Sequence, residues 1–69
     1  MERVPVSSSN LRSVGYDAES STLEIEFHAG SVYQYHGVPP SEHEALMNAG
    51  SIGSYFNTNI KNRFAVTKL

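Results

Sequence analysis

Two alternating runs face each other across a glycine in the middle of this chain, Leu23-Glu24-Ile25-Glu26-Phe27 before it and Val32-Tyr33-Gln34-Tyr35-His36 after it. A period of two describes strands that each bury one face, and the few residues between them make the pair a hairpin. The turn decides the core, because moving the register by one residue carries every side chain of a strand to the opposite surface. A two-residue loop at Ala29-Gly30 would set Glu26 beside Tyr33 and Ile25 beside Gln34, mixing apolar and polar groups on both faces. A three-residue loop, His28-Ala29-Gly30, closed by Gly30 in the left-handed conformation, pairs Phe27 with Ser31, Ile25 with Tyr33 and Leu23 with Tyr35. That register collects Leu23, Ile25, Phe27, Tyr33 and Tyr35 on one face and leaves Glu24, Glu26, Val32, Gln34 and His36 on the other. Tyr33 and Tyr35 are thereby assigned to the core.

The flanking sequence extends the hairpin. Leu11 to Tyr16 reads as a preceding strand with Arg12, Val14 and Tyr16 on one side and Leu11, Ser13 and Gly15 on the other, and the polar cluster from Asp17 to Thr22 is its connecting turn. Residues 1–8 form a leader that is flexible or adds an edge strand at Arg3 to Val6, where Pro5 admits only an edge. After Val38-Pro39-Pro40, Ser41 and Glu44 match a capping box for a short helix that Gly50 would stop in the left-handed conformation. Ser51 caps a second helix, whose Ile52, Phe56, Ile60 and Phe64 recur every four residues and so form an apolar stripe, with fraying expected before Arg63. Residues 65–69 are read as a tail. The fold class expected is α+β, a three-stranded antiparallel meander followed by two short helices packed on one face, all within one domain spanning residues 1–69.

A chain of 69 residues buries only about 60% of the surface its unfolded form exposes, which leaves little room for an internal catalytic cavity. Without cysteine there is neither a disulfide framework nor a thiolate metal site. The first residues do not resemble a signal peptide and no apolar run approaches the roughly 20 residues that cross a bilayer, so a cytoplasmic protein of bacterial or phage origin is expected. The net charge of −2 disfavours a general polyanion binder, but its distribution is uneven. All seven acids lie at or before Glu44, while Ser51 to Leu69 holds Lys61, Arg63 and Lys68 and no acid.

That basic third supplies the candidate site. Lys61 and Arg63, with Asn57, Asn59 and Asn62 nearby, offer donors for phosphates and base edges, and Tyr55 and Arg12 are candidate contributors. Ser51 and Gly53 open a helix whose free N–H groups suit an anion, although the segment lacks the lysine of a phosphate-binding loop. His28, His36 and His43 show no ligand spacing, no serine sits in a nucleophile elbow, and Glu24 and Glu26 on an exposed sheet have nothing to raise one carboxyl pKa. No catalytic residue, metal or cofactor is expected. The open sheet face, with Val32, Gln34, His36 and Leu11, and the sheet edges offer instead a protein contact or homodimer seam.

One ordered set of residues resembles a known family. Gly15-Tyr16-Asp17, Leu23 to Phe27, Gly30, Tyr33-Gln34-Tyr35, Val38-Pro39, the run Ala49 to Asn57 and Ile60-Lys61 together are similar to the KTSC domain, whose central YxY is matched by Tyr33 and Tyr35. That family occurs at the C-terminus of some lysyl-tRNA synthetases and as small stand-alone bacterial proteins. The resemblance spans Ser8 to Phe64 and implies a module of unknown function, with RNA suggested as its ligand by the family's attachment to a tRNA-handling enzyme.

Overall fold

The computed structural model covers residues 1–69. In chain order the elements are β1 (Arg3–Pro5), β2 (Leu11–Asp17), β3 (Thr22–Phe27), β4 (Val32–His36), α1 (Pro40–Met47), α2 (Ile52–Asn59) and β5 (Ala65–Lys68). The strands form one antiparallel sheet in the order β1-β2-β3-β4-β5, so the expected meander is its centre and an added strand flanks it on each side. The leader supplies β1, at the edge as Pro5 requires. Residues 65–69 are not a tail: the chain returns past both helices and pairs Val66 with Tyr35 and Lys68 with Tyr33.

The central hairpin takes the three-residue turn. Ile25 pairs with Tyr33 and Leu23 with Tyr35, the Phe27 N–H donates to the Ser31 carbonyl at 2.9 Å, and Gly30 sits at φ +100°, where a side chain would be strained. The first strand departs from simple alternation. The register shifts between Leu11 and Ser13, a β-bulge at Arg12 that lets Leu11 and Val14 face the same way, opposite Phe27 and Ile25. Leu11 is therefore fully buried rather than part of the open face, and Arg12 projects away from Val14 on the side of Ser13 and Glu26.

Both helices cover the face that carries Leu11, Val14, Leu23, Ile25 and Tyr35, closing a core with Val38, Leu46, Phe56 and Ile60 in which no residue is more than 5% exposed. α1 begins one residue before the expected cap. Pro40 occupies its first turn, where a missing N–H costs nothing, and Pro39 ahead of it is extended, so no side chain caps this helix. Gly50 is not its left-handed stop; α1 ends at Met47, with the Asn48 N–H donating to the Glu44 carbonyl. α2 starts as read: Ser51 accepts from the Ser54 N–H at 3.3 Å. Its buried stripe runs through Phe56 to Ile60, and the helix is finished at Asn59, before Arg63.

The open face is not bare. Arg3, Gly15, Glu24 and Gln34 lie in one row across β1 to β4, and because Gly15 has no side chain, Arg3 reaches over it to form an ion pair with Glu24. Gln34 donates to the same carboxylate at 3.0 Å, and Ser13 donates to Glu26 at 2.8 Å. Glu24 is 6% exposed as a result.

Candidate functional site

On the helix side of the sheet a groove of about 660 Å³ lies between the tip of the β3–β4 hairpin and the last turn of α2. The hairpin register sets its floor, since Phe27, Tyr33 and Tyr35 share that face and β5 extends it outward to Val66. Phe56 of α2 locks the floor from behind, its ring edge-on to Phe27 at 5.7 Å and to Tyr35 at 5.3 Å, while Phe27 meets Tyr33 edge-on at 5.6 Å. Asn57, Lys61 and Asn62 make the wall. Tyr35 is 5% exposed and Tyr33 partly buried, so the YxY pair belongs to the core at one ring and to the groove at both. Burial, and secondarily the neighbouring Tyr33, raises the Tyr35 phenol above its ordinary value.

No acidic side chain lines the groove. Asp17 ends β2 and Glu19 sits in the β2–β3 turn at the far end of the sheet, Glu42 and Glu44 are on α1, and Glu24 and Glu26 are on the opposite face. Lys61 is in the wall, and Lys68, opposite Tyr33, falls on the same sheet face beyond the floor. The only salt bridge in the chain joins Arg3 to Glu24, which leaves Lys61 without an intramolecular counter-ion.

The structure divides the residues that the sequence grouped. Asn57 and Lys61 line the groove together. Tyr55 does not join them: its hydroxyl donates to the Glu42 carboxylate on α1, a bond that raises the phenol pKa, and Arg63 lies close enough to counter that shift. The candidates Tyr55 and Arg63 therefore lie together at Glu42, outside the groove lining. Arg12, turned out by the bulge, lies across the sheet from Lys61 and is no part of the groove.

Ser51 and Gly53 border a second, polar cleft against Ser7, Ser8 and Asn10. Packing explains Gly53, since a Cβ there would come within 2.5 Å of the Asn10 carboxamide oxygen and 3.1 Å of the Ser8 hydroxyl. The cleft shares Ser9, Asn10 and Asn57 with the groove and continues it.

The histidines are dispersed. His28 at the hairpin tip bonds the Ser8 carbonyl at 2.9 Å, His36 bonds the Thr67 hydroxyl at 2.9 Å, and His43 stacks on Tyr16 with ring centroids 4.5 Å apart. Burial, opposed by the nearby Glu44 charge, lowers the His43 pKa. No three His, Asp or Glu side chains converge as a metal cage would require, and no helix is long and apolar enough to cross a membrane.

Asn62 was read as a nearby donor, whereas Phe27, Val66 and Lys68 entered no predicted binding set. Phe27 was read only as core, and Val66 and Lys68 have a position only once β5 exists; a four-residue Ala-Val-Thr-Lys strand is too short for its alternation to register.

Known proteins carry the same pattern. The KTSC domain profile matches residues 7–64. An uncharacterized protein of Stutzerimonas stutzeri is 49% identical over 61 residues, covering 88% of this chain and 86% of its own. A lysine–tRNA ligase of Nostoc punctiforme is 46% identical over 59 residues, which is 86% of this chain and 10% of the ligase. Among solved structures, the crystal structure of a KTSC domain protein from Yersinia pestis superposes with a TM-score of 0.93 at 45% identity, covering 99% of this chain and 96% of that one. With the profile spanning most of the chain, the YxY motif on the groove floor and the same fold in that crystal structure, this protein belongs to the KTSC domain family.

Proposed function

We propose that this domain is a non-enzymatic accessory module that holds single-stranded RNA in the groove between the β3–β4 hairpin and α2. The observation that carries the reading is the separation of charge: an aromatic-floored groove with Lys61 in its wall and no carboxylate, in a chain of net charge −2. Single strands are held by aromatic rings beneath the bases and cations along the backbone, the two kinds of group that meet here. The lysine–tRNA ligase relatives add that a domain of this kind occurs in a chain named for a tRNA-directed reaction, where it occupies a tenth of the length.

Fluorescence anisotropy with a labelled single-stranded RNA tests it. Binding is expected to weaken as salt rises and to fall several-fold in Lys61→Ala, with a shallower salt dependence, whereas Arg12→Ala on the other face leaves it unchanged. Equal binding by wild type and Lys61→Ala refutes the groove. A homodimer seam along β5 is the second reading, and one observation favours it: Val66 is 50% exposed at the outer edge of the sheet. Light scattering over a concentration series separates the two, since a strict monomer leaves only the groove.

A further inference from the structure

Several hydrogen-bonding side chains that line the groove have no partner within the chain. Of four tyrosines, Tyr16 donates to the Val38 carbonyl at 2.6 Å and Tyr55 to Glu42, while the two YxY hydroxyls have no partner within the chain. Asn48 donates to the Glu44 carbonyl and Asn59 to the Tyr55 carbonyl outside the groove, and of the three asparagines that line it Asn10 accepts from Ser8 while the Asn57 and Asn62 side chains bond nothing. Tyr35 is the informative case. A tyrosine only 5% exposed ordinarily finds a partner for its hydroxyl, and no sealed side-chain oxygen or nitrogen in this chain lacks one, so the Tyr35 hydroxyl opens into the groove.

We propose that the groove seats one unpaired nucleobase, packed against the Tyr33 ring and read at its edge by the Tyr35 hydroxyl and the Asn57 and Asn62 carboxamides. The inference rests on the RNA-binding reading and deepens it from holding a backbone to discriminating a base. A flat heterocycle with donors and acceptors on its rim matches an aromatic floor bordered by one hydroxyl and two carboxamides, each able to donate and accept. Lys61, in the same wall, is left for the adjoining phosphate. A duplex cannot satisfy this geometry, because its bases are stacked and their pairing edges occupied.

The test is anisotropy of the full chain with labelled single-stranded homopolymers of uridine, adenosine and cytidine and with a duplex of equal length, at one low salt concentration. One homopolymer is expected to bind about ten-fold more tightly than the others and than the duplex. Asn57→Ala combined with Asn62→Ala should erase that difference, and Tyr35→Phe, which keeps the ring and the packing, should weaken the preferred oligomer alone. Equal binding of all homopolymers, a duplex bound as well as single strands, or a preference that survives these variants overturns base reading. If such binding still falls in Lys61→Ala, the broader RNA-binding function stands without it. No binding to any oligonucleotide overturns both.

Discussion

Gly15 shows how little space separates the first strand from the rest of the sheet. A Cβ there would lie 2.8 Å from the Glu2 carbonyl oxygen, 3.0 Å from Arg3 Cγ and 3.2 Å from Met1 Cγ, and the first of these is backbone that cannot rotate aside. Gly15→Ala is expected to displace β1, break the Arg3–Glu24 pair and cost about 1–3 kcal/mol in urea unfolding. Hydrogen exchange should show protection lost at Arg3–Pro5 first, with β3 and β4 still protected. This role was hidden in the sequence. The chain shows Gly15 as the last residue before Tyr16, but the atoms that require it belong to Met1, Glu2 and Arg3, and a single sequence does not display such distant approaches.

Elements were legible where a pattern ran long enough. The hairpin from Leu23 to His36 could be read because only one turn length sorts its side chains onto two faces. α2 could be read from its cap and its four-residue spacing. Ser51→Ala should destabilise the domain by about 1 kcal/mol and Ser51→Asp should retain the wild-type value, because an aspartate accepts the same N–H and adds a charge favourable at a helix start. A urea titration of the three proteins checks the order. Two elements escaped. The bulge at Arg12 inverts the expected facing of Arg12 and Leu11, since one extra residue changes the parity of everything before it. β5 was missed because four residues carry too short an alternation, and with it went the outer margin of the groove. Asn57 and Lys61 were legible as candidates because they lie in acid-free sequence. Arg63 was not separable from them until the end of α2 turned it toward Tyr55.

For the molecule as a whole, acid is the condition to which the open face responds. Burial by itself would raise the Glu24 pKa, but hydrogen bonds from Gln34 and Arg3 and the guanidinium charge outweigh it and hold the carboxyl below its ordinary value of 4.5. A depressed folded-state pKa means that this group stabilises the fold fully above 4.5 and loses that contribution as pH falls through the lower, folded value. Stability measured by urea unfolding should therefore drop on the acid side of 4.5 more steeply in wild type than in Glu24→Gln, which should be the less stable of the two at neutral pH. Parallel curves would assign the acid response to other carboxyls.

The absence of carboxylates from the groove has a second consequence, for encounters that precede any contact. Asp17, Glu19, Glu42 and Glu44 lie away from the groove, whereas Lys61 stands in its wall and Lys68 beyond its floor. For the RNA binding proposed above, such a separation favours an approach with the aromatic trough forward, so that a modest count of cations supplies orientation more than net attraction.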